Sequence, residues 1–117
     1  MEGQSPQQYE PIVLIENYSI SRGDLKLPFK PLAHRSYSIQ IIATGLDAAD
    51  GSAKVQMSNN PDLSWDDHPT FIHTFEAGSS SHTFLSTVPL GTSWLQVVLS
   101  KGSNTTGMVT VILQINK

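Results

Sequence analysis

Residues 36–67 read SYSIQIIATGLDAADGSAKVQMSNNPDLSWDD. Tyr37, Ile39, Ile41 and Ala43 alternate with Ser38, Gln40, Ile42 and Thr44, and further on Ala53, Val55 and Met57 alternate with Lys54, Gln56 and Ser58. Successive side chains of an extended chain point to opposite faces, so a period of two assigns one set to each face of a sheet. Between the runs, Gly45 and Gly51 accept the positive φ of tight turns, while Asp47 and Asp50 bring carboxylates suited to capping them. The stretch therefore reads as a strand, a Gly/Asp-rich connection, a second strand and a polar loop carrying Trp65.

Upstream, Ile12–Ile15 is an unbroken apolar run, the pattern of a strand buried on both faces. Arg22-Gly23-Asp24 reads as a turn; it also spells the integrin tripeptide, but a three-letter match is a weak signal. Pro28 and Pro31 bracket Phe29, and proline lacks the ladder donor, so this segment is expected to be an extended connection or a sheet edge.

Downstream, Phe71, His73 and Phe75 alternate with Ile72 and Thr74 in a strand over 70–76, followed by a turn at 77–81 and a short strand from His82 to Val88. Leu95, Val97 and Leu99 alternate with Trp94, Gln96 and Val98. KGSNTT (101–106) has the composition of a hairpin-type loop, and Val109, Val111, Leu113 and Ile115 share one face of a closing strand, with Thr110 and Gln114 on the other. Turn signals about every 8–12 residues and the absence of a capped 3.6-residue period argue for one all-β domain, an antiparallel sandwich of about seven or eight strands. The pattern leaves a jelly-roll and an immunoglobulin-like order open. The sandwich is assigned to residues 12–117 and a polar, flexible N-terminal arm to residues 1–11.

Composition narrows the function. A chain of 117 residues fits one domain, and a net charge of −3 with seven scattered Lys and Arg argues against a nucleic-acid binder. With no cysteine there is no disulfide, thiolate or Cys-ligated metal chemistry. No apolar run is long enough for a membrane helix, and MEGQSPQQYEP lacks a signal-peptide pattern, so cytoplasmic synthesis is expected. Under that expectation the sequons at Asn17 and Asn104 are chance matches.

Candidate sites are few. Asp47, Asp50, Asp62, Asp66 and Asp67 fall in neighbouring loops, where oxygen ligands for calcium are found, although the spacing fits ordinary turn formation better. Of His34, His68, His73 and His82, the pair His73 and His82 is placed to face across a hairpin as a zinc site, with ordinary strand and loop histidines the favoured reading. Trp94 reads as edge packing; Trp65 is either a plug beneath its loop or an exposed stacking platform. No GxSxG elbow, phosphate loop or nucleophile–base set is present, so no enzymatic activity and no cofactor are expected.

Gly45, Asp50, Gly51, Val55, Gln56, Ser58, Asn59 and Trp65, followed by Gly107 and the closing strand, resemble a pattern in small virion proteins of tailed bacteriophages. The resemblance spans about residues 36–115; the arginine usual in the penultimate strand is replaced by Gln96. Discoidin-like carbohydrate-binding sandwiches have a related strand–Ser–x–Asp–x–Trp pattern. The phage resemblance implies a non-enzymatic structural protein of the virion, a capsid decoration or auxiliary protein that binds and stabilises the shell and is assembled in the host cytoplasm. Its implied partners are other virion proteins and further copies of itself as a homo-oligomer, with no nucleic acid and no membrane. Under this reading the contact surfaces are the arm with Gln4, Gln7 and Tyr9, the Pro28–Pro31 segment with Phe29, and Trp65. One alternative is a tail or neck component. The other is a glycan-binding module using Trp65, Tyr37 and the loop Asp and Asn residues.

Overall fold

A computed structural model of the chain describes residues 11–30, 36–86 and 94–116. Among the described residues there are eight strands, β1 (Ile12–Ser19), β2 (Leu25–Phe29), β3 (Ser36–Leu46), β4 (Ser52–Ser58), β5 (Asp66–Thr74), β6 (Gly78–Ser86), β7 (Trp94–Ser100) and β8 (Met108–Asn116), and a 3-10 turn at Ile20–Arg22. They form two antiparallel four-stranded sheets, ordered β1-β8-β3-β6 and β2-β7-β4-β5. The expected all-β sandwich is therefore present. An immunoglobulin order keeps its first two strands side by side in one sheet; here β1 and β2 lie in different sheets.

Alternation decides the interior. Tyr37, Ile39, Ile41 and Ala43 of β3, Ala53 and Val55 of β4, Leu95, Val97 and Leu99 of β7, and Val109, Val111 and Leu113 of β8 are all buried in one cluster. Phe71 joins it from β5, Phe75 from just past the end of β5, and Phe84 from β6. Each fully buried aliphatic or aromatic side chain contributes about 1.5–3 kcal/mol.

Several local expectations are corrected. The run Ile12–Ile15 is not buried on both faces: among the described residues β1 borders its sheet and pairs with β8 alone, through two register shifts, and Ile12 is 46% and Val13 50% exposed. The 101–106 loop is no hairpin, because it joins β7 of one sheet to β8 of the other; the 47–51 connection likewise joins β3 to β4 across the sandwich. Only β4 and β5 are both consecutive and paired. Residues 78–81, expected in a turn, are the start of β6, with Ser81 opposite Ile42 and Ser80 opposite Ala43. Small polar residues suit this edge strand, which β3 covers on one side only. The Pro28 segment is an edge strand, as its missing N–H allows.

Candidate binding surfaces

At one end of the sandwich, two connections lock together. The Asp47 carboxylate accepts hydrogen bonds from the Thr105 N–H and hydroxyl and from the Thr106 N–H, and the Asp50 carboxylate accepts from the Ser103 N–H (2.9 Å) and hydroxyl (2.7 Å). Asn104 lies between them, fully buried. Its Oδ1 accepts from the Ala48 N–H, and its Nδ2 donates to the carbonyls of Asp50 and Lys101, each bond 2.9–3.1 Å. Asp24 Oδ1 accepts from the Lys101 N–H at 2.8 Å, so the Arg22-Gly23-Asp24 turn belongs to the same clasp. The Tyr18 hydroxyl donates to the Gly23 carbonyl at 2.7 Å. Close approach of the two connections requires glycine at Gly102, which has φ +61°; a Cβ there would sit 2.4 Å from the Gly51 nitrogen. Hydrogen bonds from the Thr105 hydroxyl and N–H hold the Asp47 carboxyl down to about 2. The Ser103 N–H and hydroxyl lower that of Asp50.

The acidic set expected as a calcium candidate does not assemble. Asp66 and Asp67 are not in a loop. They open β5 opposite Met57 and Gln56, at the far end of β4 from Asp47 and Asp50. Asp62 lies in the 59–65 connection, where its N–H donates to Asn60 Oδ1 at 3.2 Å. Among the described residues no three His, Asp or Glu side chains gather closely enough to hold a metal ion.

The histidines close a seam. Edge strands β5 and β6 belong to different sheets, so His73 and His82 meet across the sandwich rather than across a hairpin. Their rings stack with centroids 4.3 Å apart and planes 4° apart. In stacked rings the in-plane lone pairs run side by side and do not converge, so this arrangement is not a tetrahedral zinc site. His68 stacks on Phe71 at 3.9 Å, Phe71 on Phe84 at 5.3 Å, and His82 meets Phe84 edge-on. Burial lowers the pKa of His68 and His73, and the neighbouring His82 lowers that of His73 further.

The third surface is the outer face of the β2-β7-β4-β5 sheet. Register places Pro28, Gln96, Gln56 and Asp67 in one row across its four strands. Gln96 Nε2 donates to Gln56 Oε1 at 2.7 Å, and Gln56 Nε2 donates to Asp67 Oδ1 at 2.8 Å. Lys54 Nζ lies 3.2 Å from the same carboxylate oxygen. The hydrogen bond from Gln56, then that from Lys54, lowers the pKa of Asp67. Gln96 and Val98, expected on a wet face, are 3% and 7% exposed; Ser58, also on this face, is buried too. Trp94 stands half-buried beside them, with Lys30 Nζ 5.2 Å from its ring centroid.

Of the residues singled out in the sequence, Trp65 is half-buried and its indole N–H donates to the Pro61 carbonyl at 3.2 Å, tying the ring to its own loop. Phe29 packs from the edge of β2 against the core. Tyr37 is buried in the interior, which removes it from a surface glycan site. Asn104 is buried as well, so its sequon is structural. Gln4, Gln7, Tyr9, Pro31 and His34 lie outside the described residues. The Gln96–Gln56–Asp67–Lys54 row was not anticipated. Alternation put Gln56, Gln96 and Lys54 on outer faces, but nothing in the sequence paired β4 with β7.

No protein-family model matches the chain, and no curated protein matches it in sequence. Solved structures of similar fold include the enzymatically active domain of bacteriophage CBA120 tailspike protein 4, with a TM-score of 0.58 and 11% identity over 79% of this chain. The chain spans only 13% of that protein's length. A carbohydrate-binding module, CBM4, has a TM-score of 0.52 and 14% identity over 96% of this chain and 72% of its own. The Tobacco streak virus coat protein has a TM-score of 0.48 and 12% identity over 97% of this chain and 90% of its own. At these identities the likeness is one of β-sandwich fold.

Proposed function

We propose that this chain is a non-enzymatic structural component of a tailed-phage particle, a decoration or auxiliary protein that binds the assembled shell. The observation that carries the reading is the strand order β1-β8-β3-β6 over β2-β7-β4-β5. We read it as a jelly roll, an architecture found in viral capsid and lectin domains. Two features support it. The residues that resemble small phage virion proteins include Asp50, Gly51 and Gly107, and these stand in or beside the two interlocked connections that stiffen one end of the sandwich. A β-sandwich of this fold also occurs within a phage tailspike protein.

A protein of this kind works by linkage: binding the lattice and not free subunits stabilises the lattice by mass action. Neighbouring docked copies add avidity. Among the described residues β1, β2, β5 and β6 border their sheets, where a neighbour's strand could add. The test is quantitative mass spectrometry of purified particles, counted as copies of this chain per major capsid subunit. Stoichiometry close to that of the capsid subunit is the expected result. Substoichiometric copies, fitting one small ring per particle, would move the protein to the neck or tail. Absence from particles would overturn the virion reading.

A second reading, carbohydrate binding, has its own observation: a pre-ordered row of polar side chains on the outer side of one sheet, exposed at its Asp67 end.

A further inference from the structure

We infer that the outer edge of β6 docks a second copy of this chain: the two β6 strands pair antiparallel about a two-fold axis at Thr83 and join their β1-β8-β3-β6 sheets into one. The inference goes beyond binding to a shell and does not rest on it.

The first argument is the contrast among the border strands. A straight, uncharged border strand invites pairing, and proteins blunt such edges with proline, charge, bulges or shortness. Among the described residues, three of the four border strands are blunted. β1 has two register shifts, Glu16, and Asn17 at φ 52°. β2 is 5 residues long and holds Lys26 and Pro28. β5 opens on Asp66 and Asp67, holds Pro69 and has a register shift against β4. From Ser80 to Ser86, β6 has none of these features: no proline, no Asp, Glu, Lys or Arg, and an unbroken register with β3. Every second residue of an antiparallel strand turns its N–H and C=O away from a lone partner. Among the described residues, no hydrogen bond joins the 80–86 backbone to anything but β3.

The second argument is self-complementarity, which selects a second copy as the occupant. The unbroken segment Ser80–Ser86 is centred on Thr83. A two-fold axis there uses the whole segment, about 24 Å of strand. Thr83 then lies opposite its own counterpart, His82 opposite the second copy's Phe84, and Ser80 opposite its Ser86. Leu85, 58% exposed in one copy, comes beside Ser81 of the other and is partly covered. No position sets like charges against each other, a juxtaposition that destabilises paired strands. An uncharged strand gives a charged foreign segment nothing to select it by, whereas its own copy matches it in length and register.

The third argument is closure. A two-fold contact uses both β6 edges at once. The joined sheet then ends on β1 at either side, where the register shifts and Asn17 oppose a further strand. The assembly therefore stops at two copies. Pairing along one strand buries a small area, so the dimer forms in a concentration-dependent way.

The experiment uses the full chain, which has no cysteine, so one introduced thiol reports one contact. Thr83→Cys is treated with a short bis-maleimide beside Lys26→Cys, an exposed position on blunted β2. Parent, Thr83→Lys and Thr83→Glu proteins are followed by sedimentation at rising concentration, with circular dichroism to confirm folding. The expected results are a monomer–dimer equilibrium in the parent and cross-linking of Thr83→Cys at least tenfold faster than of Lys26→Cys. Thr83→Lys and Thr83→Glu each stay monomeric, and their equimolar mixture dimerises, because the axis sets the two opposite charges face to face. The inference is overturned if the parent stays monomeric or grows beyond two copies, if Lys26→Cys cross-links as fast, or if the mixture stays monomeric. Should a charged variant fail to fold, the cross-linking comparison decides. Copies per particle are indifferent to all of these outcomes, so this inference and the shell-binding proposal fail separately.

Discussion

The two ends of β4 carry similar residues and use them in opposite ways. Before its first residue, Asp47 and Asp50 direct their carboxylates into the backbone and hydroxyl groups of the 103–106 segment. Opposite its far end, Asp67 lies with its side chain 48% exposed and lines up the amides of Gln56 and Gln96 along the outer side of its sheet. A carboxylate that caps another loop's N–H groups is part of the scaffold. A half-exposed carboxylate held by a lysine and a glutamine instead sets the direction of neighbouring side-chain amides. The same acid is thus structural or available according to what the tertiary fold brings beside it.

The largest expected effect comes from breaking the clasp. Asn104→Ala removes, in a fully buried position, the side-chain partners of the Ala48 N–H and of the Asp50 carbonyl, while the Lys101 carbonyl keeps the Asn104 N–H. At about 1–3 kcal/mol per buried group left unsatisfied, urea unfolding should show a loss of about 2–4 kcal/mol. A loss below about 0.5 kcal/mol would mean that the clasp does not stiffen the fold.

A middle-sized effect separates the two ends by pH. The folded pKa of Asp47 is depressed from 3.8 to about 2, so the unfolded state binds more protons between those values. The stability it contributes is complete above about pH 4 and is lost as pH falls toward 2. His73 is depressed from 6.5 by burial and by His82, so its neutral form favours the fold and stability begins to fall as pH drops below 6.5. Thermal melts from pH 7 to pH 2 should therefore decline in two stages. Asp47→Asn makes the lower stage shallower, with the remainder left by Asp50 and Asp67, and His73→Gln makes the upper shallower, with the remainder left by His68. If Asp67→Asn flattens the lower stage as much as Asp47→Asn, the contrast between the two ends is gone.

The smallest expected effect is on stability at the exposed Asp67 end of the row. Asp67→Asn removes an exposed ion pair with Lys54, and such pairs contribute about 0–1 kcal/mol, so the melting temperature should scarcely move at pH 7. Its side-chain amide NMR signals should tell more. With the carboxylate gone, the direction of the Gln56 and Gln96 amides is no longer imposed, and both resonances should shift. Unmoved signals would show that Asp67 does not orient the row.

Much of this architecture was legible in residue order. The alternations of β3, β4, β7 and β8 identified the buried side chains one by one, from Ile39 and Ile41 through Val55 and Val97 to Val111. Where alternation was absent the reading failed: Ile12–Ile15 looked doubly buried and lies at an edge, and Gly78–Ser81 looked like a turn and is strand. The candidate sites were less legible. Asp47, Asp50, Asp66 and Asp67 looked like one cluster by proximity in the chain, yet the fold sends the two pairs to opposite ends of β4. Gln96 looked solvent-facing because its position alternates with core residues, yet it is buried with its amide donating to Gln56 of β4.

The sequence by itself determined that the chain is all-β, where most strands run and which side chains point inward, because a period of two is a local property of an extended backbone. Only the tertiary structure decided that consecutive strands cross between sheets, that Asn104 is buried between two connections, that His73 stacks on His82, and that Gln96, Gln56 and Asp67 form one row. Strand partners are chosen by the sum of contacts between residues far apart in sequence. That sum has no signature in the order of neighbouring residues.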